Sequence, residues 1–197
     1  MKQVEFFFDV GSPYSYLAYH QLPKIAGARN AGIVWRPMLL GGIFQATGNS
    51  SPAAVPLKAK HSLIDLERWA RYFNAPFTPN PHFPLNTLQL MRGAVGMQMR
   101  GDEEFQRYLS AIFGAMFEKP RNLNDLQEIA AVLEGAGFSP MDVLALTQND
   151  KVKQKLRANT DEAVARGVFG APTFFVGEEM FWGQDRLHFV DLALGQA

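Results

Sequence analysis

The chain has 197 residues, 47% of them hydrophobic and 19% charged, a composition that suits one globular domain, or one with a large insertion, and excludes a disordered chain. Its 19 Lys and Arg balance 19 Asp and Glu, so with no basic run neither nucleic acid nor an anionic membrane is expected as a partner. Cysteine is absent, which removes disulfides, thiolate metal sites and a cysteine nucleophile together; any thiol chemistry must import its thiol.

Val4 to Phe8 is an apolar, aromatic run broken only by Glu5, the pattern of a strand buried on both faces of a sheet rather than of a signal peptide. Ser12 precedes Pro13, so Ser12 reads as an N-cap and Pro13 as the first helical position. Tyr14, Leu17, Ala18, Leu22 and Ile25 then recur at helical spacing, with Pro23 expected to kink the helix. Ile33 to Met38 follows as a second strand, and strand, helix, strand favours a parallel pair with a right-handed crossover.

From Gly41 to Pro84 the Gly- and Pro-rich segments read as loops around one helix, Pro56 to Phe73. Helices are predicted over Leu85 to Arg100, Asp102 to Glu118, Leu123 to Ala136, Pro140 to Thr147 and Asp150 to Arg166. The chain then returns to strands: a hairpin of Phe174 to Val176 and Met180 to Trp182 around Gly177-Glu178-Glu179, closed by a helix from Asp185 to Leu194. The order is β-α-β, helical insertion, β-β-α, an α/β fold. No apolar run approaches the roughly 20 residues that span a bilayer, and the protein is expected to be soluble and cytoplasmic.

Three segments carry chemistry. Gly11-Ser12-Pro13-Tyr14-Ser15 joins a strand end to a helix N-terminus, where free N–H groups and the positive helix end would lower the pKa of a bound thiol and the Ser12 hydroxyl would donate to the thiolate. A plain helix cap is the commoner role for such a serine, and both readings stand. Gly170-Ala171-Pro172-Thr173 has a proline immediately before a strand. It is either an ordinary edge-strand proline or a cis peptide that frees the Ala171 backbone to pair with a peptide-like ligand. In Trp182-Gly183-Gln184-Asp185-Arg186, Asp185 either caps the last helix or offers a carboxylate to the ammonium of an amino-acid head group. His20, His61, His82 and His188 are scattered without metal-ligand spacing, and no metal is expected. Val10-Gly11-Ser12-Pro13-Tyr14 lacks the hydrolase elbow, and Gly41-Gly42 lacks the Lys and hydroxyl of a phosphate loop.

Taken together, Ser12-Pro13-Tyr14-Ser15-Tyr16-Leu17, Leu40-Gly41-Gly42-Ile43-Phe44 with Asn49, Val168-Phe169-Gly170-Ala171-Pro172-Thr173 and Trp182-Gly183-Gln184-Asp185-Arg186 resemble the 2-hydroxychromene-2-carboxylate isomerase family. That family is close to kappa-class glutathione transferases and to disulfide oxidoreductases with a helical domain inserted in a thioredoxin fold. The resemblance implies a thioredoxin-like domain of residues 1–40 and 168–197, a helical insertion of residues 41–167, and glutathione as cofactor. It makes Ser12 the catalytic hydroxyl that stabilises the thiolate, with Pro13 and Tyr14 beside it and Asn49 near the glutathione. The Ala171 backbone, before Pro172, would pair with the cysteinyl unit, and Gln184 and Asp185 would hold the γ-glutamyl head group. Ala171 stands where some relatives have a larger residue, and Gln184 replaces a small hydroxyl residue of the mammalian kappa enzymes.

The implied activity is a glutathione-dependent isomerisation of a small aromatic-derived acid by a homodimer, with Asn86 and Arg92 as candidate substrate contacts or, alternatively, a helix cap and a solvated face. Two other readings are a kappa-like transferase or peroxidase that consumes glutathione, and a non-catalytic thioredoxin-fold binding or chaperone module.

Overall fold

The computed structural model describes residues 2–196. Its sheet has four strands in the order β2-β1-β3-β4: β1 (Gln3–Phe8), β2 (Gly32–Pro37), β3 (Thr173–Val176) and β4 (Glu179–Trp182). β1 runs parallel to β2, with Phe6 opposite Trp35, and the crossover is α1 (Pro13–Ala28). β1 pairs antiparallel with β3, Phe6 opposite Phe174, and β3 antiparallel with β4. The β3–β4 turn is Gly177-Glu178, with positive φ at Gly177 alone of the two, so Glu179 opens β4 rather than completing the turn.

Because successive side chains alternate, the aromatic run of β1 serves two cores. Phe6 and Phe8 pack with Tyr16, Leu17, Phe113 and Phe117 on one face; Phe7 packs with Met38, Ile43, Ala163, Val168 and Phe175 on the other. Glu5 shares the Phe7 side, where Arg36 and Arg166 hold it.

The remaining helices are α2 (Leu40–Thr47), α3 (Pro56–Phe73), α4 (Leu88–Arg100), α5 (Asp102–Phe117), α6 (Leu126–Gly135), α7 (Pro140–Gln148), α8 (Asp150–Ala165) and α9 (Leu187–Gln196). α2 corrects the loop expected from Gly41 onward. Gly41 is exposed, and Gly42 faces Thr160 of α8, where a Cβ would lie 3.2 Å from Thr160 Cγ2, so both glycines fit a helix laid close on its neighbour. Pro23 sits inside α1 without ending it. α4 begins at Leu88, not Leu85: the Asn86 side chain accepts the Leu88 N–H at 3.1 Å just before the helix, while the Asn86 N–H bonds to Asn124 Oδ1 at 3.1 Å; α6 begins at Leu126, with Asp125 as its cap. No single described helix is long and apolar enough to cross a membrane.

Candidate active site

β1 ends at Phe8, and four residues later Ser12 caps the start of α1. Ser12 is extended (φ −89°, ψ 114°); its Oγ accepts the Ser15 N–H at 3.1 Å and donates to the Ala171 carbonyl at 3.1 Å. The serine is therefore a cap whose hydroxyl proton faces the segment before β3. It is 4% exposed, so the interaction lies in a largely water-free place. The Ala171–Pro172 peptide is cis. Pro13 has no N–H and the Tyr14 N–H has no intrahelical acceptor, so the positive end of α1 opens on the same gap.

Around this gap is a cleft of about 480 Å³ lined in part by Ser12, Tyr14, Asn49, Ala171, Gln184 and Asp185. Pro13 and Pro172 flank two of these residues in the chain; Pro172 is buried, and its carbonyl accepts the Gly183 N–H at 2.9 Å. Asn49 donates from Nδ2 to the Phe169 carbonyl at 2.8 Å, tying the loop after α2 to the one before β3. Gln184 is buried within the 3-10 turn Gln184–Arg186, which leads into α9. Asp185 lies inside that turn and does not cap it; its carboxylate is paired with Arg186. Gly183 makes the turn possible, since its φ is +101° and any Cβ there would run into Asp185 Oδ1. Burial raises the Tyr14 phenol above its ordinary pKa, with Asp65 and Asp185 adding to the effect.

Sequence reasoning missed several lining residues. Lys58 and Asp65 supply one charge of each sign from α3, and Phe44, Val55 and Trp182 supply apolar walls. The available signal was the spacing of Lys58 and Asp65, seven residues and about two helical turns apart, which sets both on one face of α3.

A second cavity of about 630 Å³ adjoins the first, sharing Leu40, Phe44 and Ser51 with it. Leu39, Phe83, Pro84, Leu85 and Leu88 make it apolar, and Asp9, Gly11, Asn86 and Thr87 add its polar atoms. Asn86 thus lines this cavity while its Oδ1 accepts the Leu88 N–H at 3.1 Å; Arg92, on α4, lines neither cavity. Asp9 is 1% exposed, and burial pushes its carboxyl above the usual carboxylate range against the pull of donors from Gly11, Leu40 and Thr87. Among the described residues no group of three or more His, Asp or Glu is placed to hold a metal ion.

A family model of the DSBA-like thioredoxin domain matches residues 3–195. The 2-hydroxychromene-2-carboxylate isomerase of Sphingobium xenophagum is 31% identical over 193 residues, 96% of each chain. Glutathione S-transferase kappa 1 of Caenorhabditis elegans is 27% identical over 202 residues, covering 96% of this chain and 89% of that one. A solved 2-hydroxychromene-2-carboxylate isomerase superposes with a TM-score of 0.85 at 27% identity, over 98% of this chain and 95% of its own. The four-stranded sheet with helices between β2 and β3 is thus a thioredoxin-like fold with a helical insertion. With the family match running from β1 into α9, and isomerase relatives aligned along the same length, the chain belongs to the 2-hydroxychromene-2-carboxylate isomerase family of DsbA-like thioredoxin proteins.

Proposed function

We propose that the protein is a glutathione-dependent isomerase that interconverts 2-hydroxychromene-2-carboxylate and trans-o-hydroxybenzylidenepyruvate in aromatic-compound degradation. The observation that carries this reading is the Ser12 hydroxyl, held at the positive end of α1 and 3.1 Å from the Ala171 carbonyl, in a chain with no cysteine. A thiol-free fold of this kind cannot exchange disulfides, but it can hold the thiolate of a ligand.

The donor set fits glutathione. On this reading the Asp185–Arg186 pair opens to take the ammonium and a carboxylate, Lys58 takes the other carboxylate, and the Ala171 backbone pairs with a peptide unit; all of these residues line the one cleft. Glutathione held by these residues would supply a thiolate for reversible addition to the conjugated carbon, the chemistry by which an opened ring can rotate about a formal double bond and free thiol is returned with the trans-alkene. On binding, Ser12 turns its one hydroxyl proton from the Ala171 carbonyl to the ionised sulfur, and the α1 N-terminus adds its positive dipole end. The apolar walls of the second cavity take the aromatic ring and exclude water beside Ser12.

An ultraviolet assay with and without glutathione, following both open product and free thiol, tests this. Conversion that needs glutathione and leaves total thiol unchanged is expected. Thiol loss in step with product would instead favour a transferase, the reading that the full-length kappa relative supports. Failure of glutathione to raise the melting temperature would leave a non-catalytic module. We further read the enzyme as a cytoplasmic homodimer in which residues 41–167 form an inserted helical domain, and a monomeric mass in light scattering would refute the dimer.

A further inference from the structure

Asp9 is a carboxyl that the chemistry above leaves without a role. It is 1% exposed on the wall of the second cavity, where a carboxylate is costly unless donors surround it. Three donors do, and each belongs to a different segment. The Gly11 N–H, next to Ser12, reaches Oδ1 at 2.9 Å. The Leu40 N–H, which opens α2 on the boundary of the two cavities, reaches Oδ2 at 2.8 Å, and the Thr87 hydroxyl, at the start of α4, reaches the same oxygen at 3.1 Å.

The segments are also in close contact. A Cβ at Gly11 would stand 2.6 Å from Thr87 Cγ2 and 3.3 Å from Asp9 Oδ1. An apolar side chain of similar size would fill this space without burying a charge; what the carboxyl adds is direction, because each oxygen fixes where a donor must lie. Of the three segments tied, one carries Ser12 and the other two carry walls of the second cavity.

We infer that Asp9 is a positioning residue of the isomerisation: by holding Gly11, Leu40 and Thr87 on one carboxyl, it sets the place of Ser12 relative to the ring-binding cavity. The kinetic consequence rests on the isomerase reading; the geometric tie does not. Thr87 makes the two separable, since Oγ1 bonds to Asp9 while Cγ2 packs toward Gly11. Thr87→Val keeps the shape and loses the hydroxyl, whereas Thr87→Ser keeps the hydroxyl.

The experiment compares wild type with Asp9→Asn, Thr87→Val and Thr87→Ser. It measures glutathione affinity by calorimetry, kcat and KM with 2-hydroxychromene-2-carboxylate, and exchange of the Leu40 amide by nuclear magnetic resonance. Misplaced groups slow turnover more than they weaken ground-state binding, so kcat falls about tenfold or more in Asp9→Asn and severalfold in Thr87→Val, with glutathione affinity within about threefold of wild type. Thr87→Ser restores kcat. A kcat in Asp9→Asn within about twofold of wild type overturns the inference, as does a common decline of turnover, glutathione affinity and melting temperature that marks a merely structural role. Thr87→Ser as slow as Thr87→Val overturns it too, and this pair decides if Asp9→Asn does not fold. If wild type itself fails to convert the substrate, the isomerase reading falls and the Leu40 amide decides. Faster exchange in Asp9→Asn and Thr87→Val, with wild-type exchange in Thr87→Ser, supports the tie, and unchanged exchange in all three refutes it.

Discussion

Ser12→Ala removes one oxygen that makes two hydrogen bonds, from the Ser15 N–H and to the Ala171 carbonyl. Loss of the cap costs about 1 kcal/mol and loss of the second bond about 1 kcal/mol more. For a chain of this size the melting temperature should therefore fall by about 4–8 °C, leaving the fold intact. Turnover should fall further than stability. A hydrogen bond to a charged acceptor contributes about 1.5–3 kcal/mol, equivalent to about 10- to 150-fold in rate or one to two pKa units of the bound thiol. The assay pairs initial rates at saturating glutathione with thiolate absorbance of the complex titrated against pH, and the thiol pKa should rise in the variant by the amount that accounts for the rate. Turnover within about twofold of wild type, with the melting temperature lowered as expected, would make Ser12 a cap and nothing more.

Gly93→Ala should destabilise the protein by about 2–4 kcal/mol, because the new Cβ would stand 2.7 Å from Cζ of Tyr108, which is 1% exposed and donates to the Leu90 carbonyl at 2.9 Å. A urea midpoint equal to wild type would show that α4 and α5 separate at little cost. Gly170→Ala puts a Cβ 2.6 Å from Trp182 Nε1, but that indole is 48% exposed and swings out, so stability should change by less than about 1 kcal/mol while glutathione binds severalfold more weakly. Unchanged affinity by calorimetry would remove Trp182 from the contacts that hold glutathione. The third concerns pH. Burial raises the Asp9 pKa in the folded state above its ordinary 3.8, so the native chain holds that proton more tightly than the unfolded one. Its contribution to stability is thus fully present below 3.8 and is lost as pH rises through the folded value. Urea unfolding across that window should show wild type losing stability relative to Asp9→Asn with rising pH, and parallel curves would contradict the burial argument.

Local pattern was enough for β1, whose apolar, aromatic run, broken only by Glu5, signals burial on two faces, and for α1, whose Ser12-Pro13 start is a capping signal with the same geometry in the structure. α2 was not legible, because Gly41-Gly42 reads as a loop until Thr160, more than a hundred residues away, is seen to lie against Gly42. Ser12, Ala171 and Asp185 could be picked out because short motifs carry their chemistry, and Asn49 and Gln184 through the family resemblance; the structure lines one cleft with all five. Lys58 and Asp65 looked like any solvated helix face; only the packing of α3 near the α1 N-terminus turns that face onto the cleft.

Arg92 shows the converse. Its helix rotation is set by Gly93 against Tyr108 and Gly96 against Leu146, contacts that no sequence spacing specifies, and they leave the guanidinium off both cavities. The sequence alone determined the family, the order of the strands and of every helix but α2, and the absence of a protein thiol, since these depend on residue type and local period. Tertiary structure decided which charges meet the cleft, the second cavity and the linkage of Gly11, Leu40 and Thr87 through Asp9, because each depends on close packing between segments far apart in the chain.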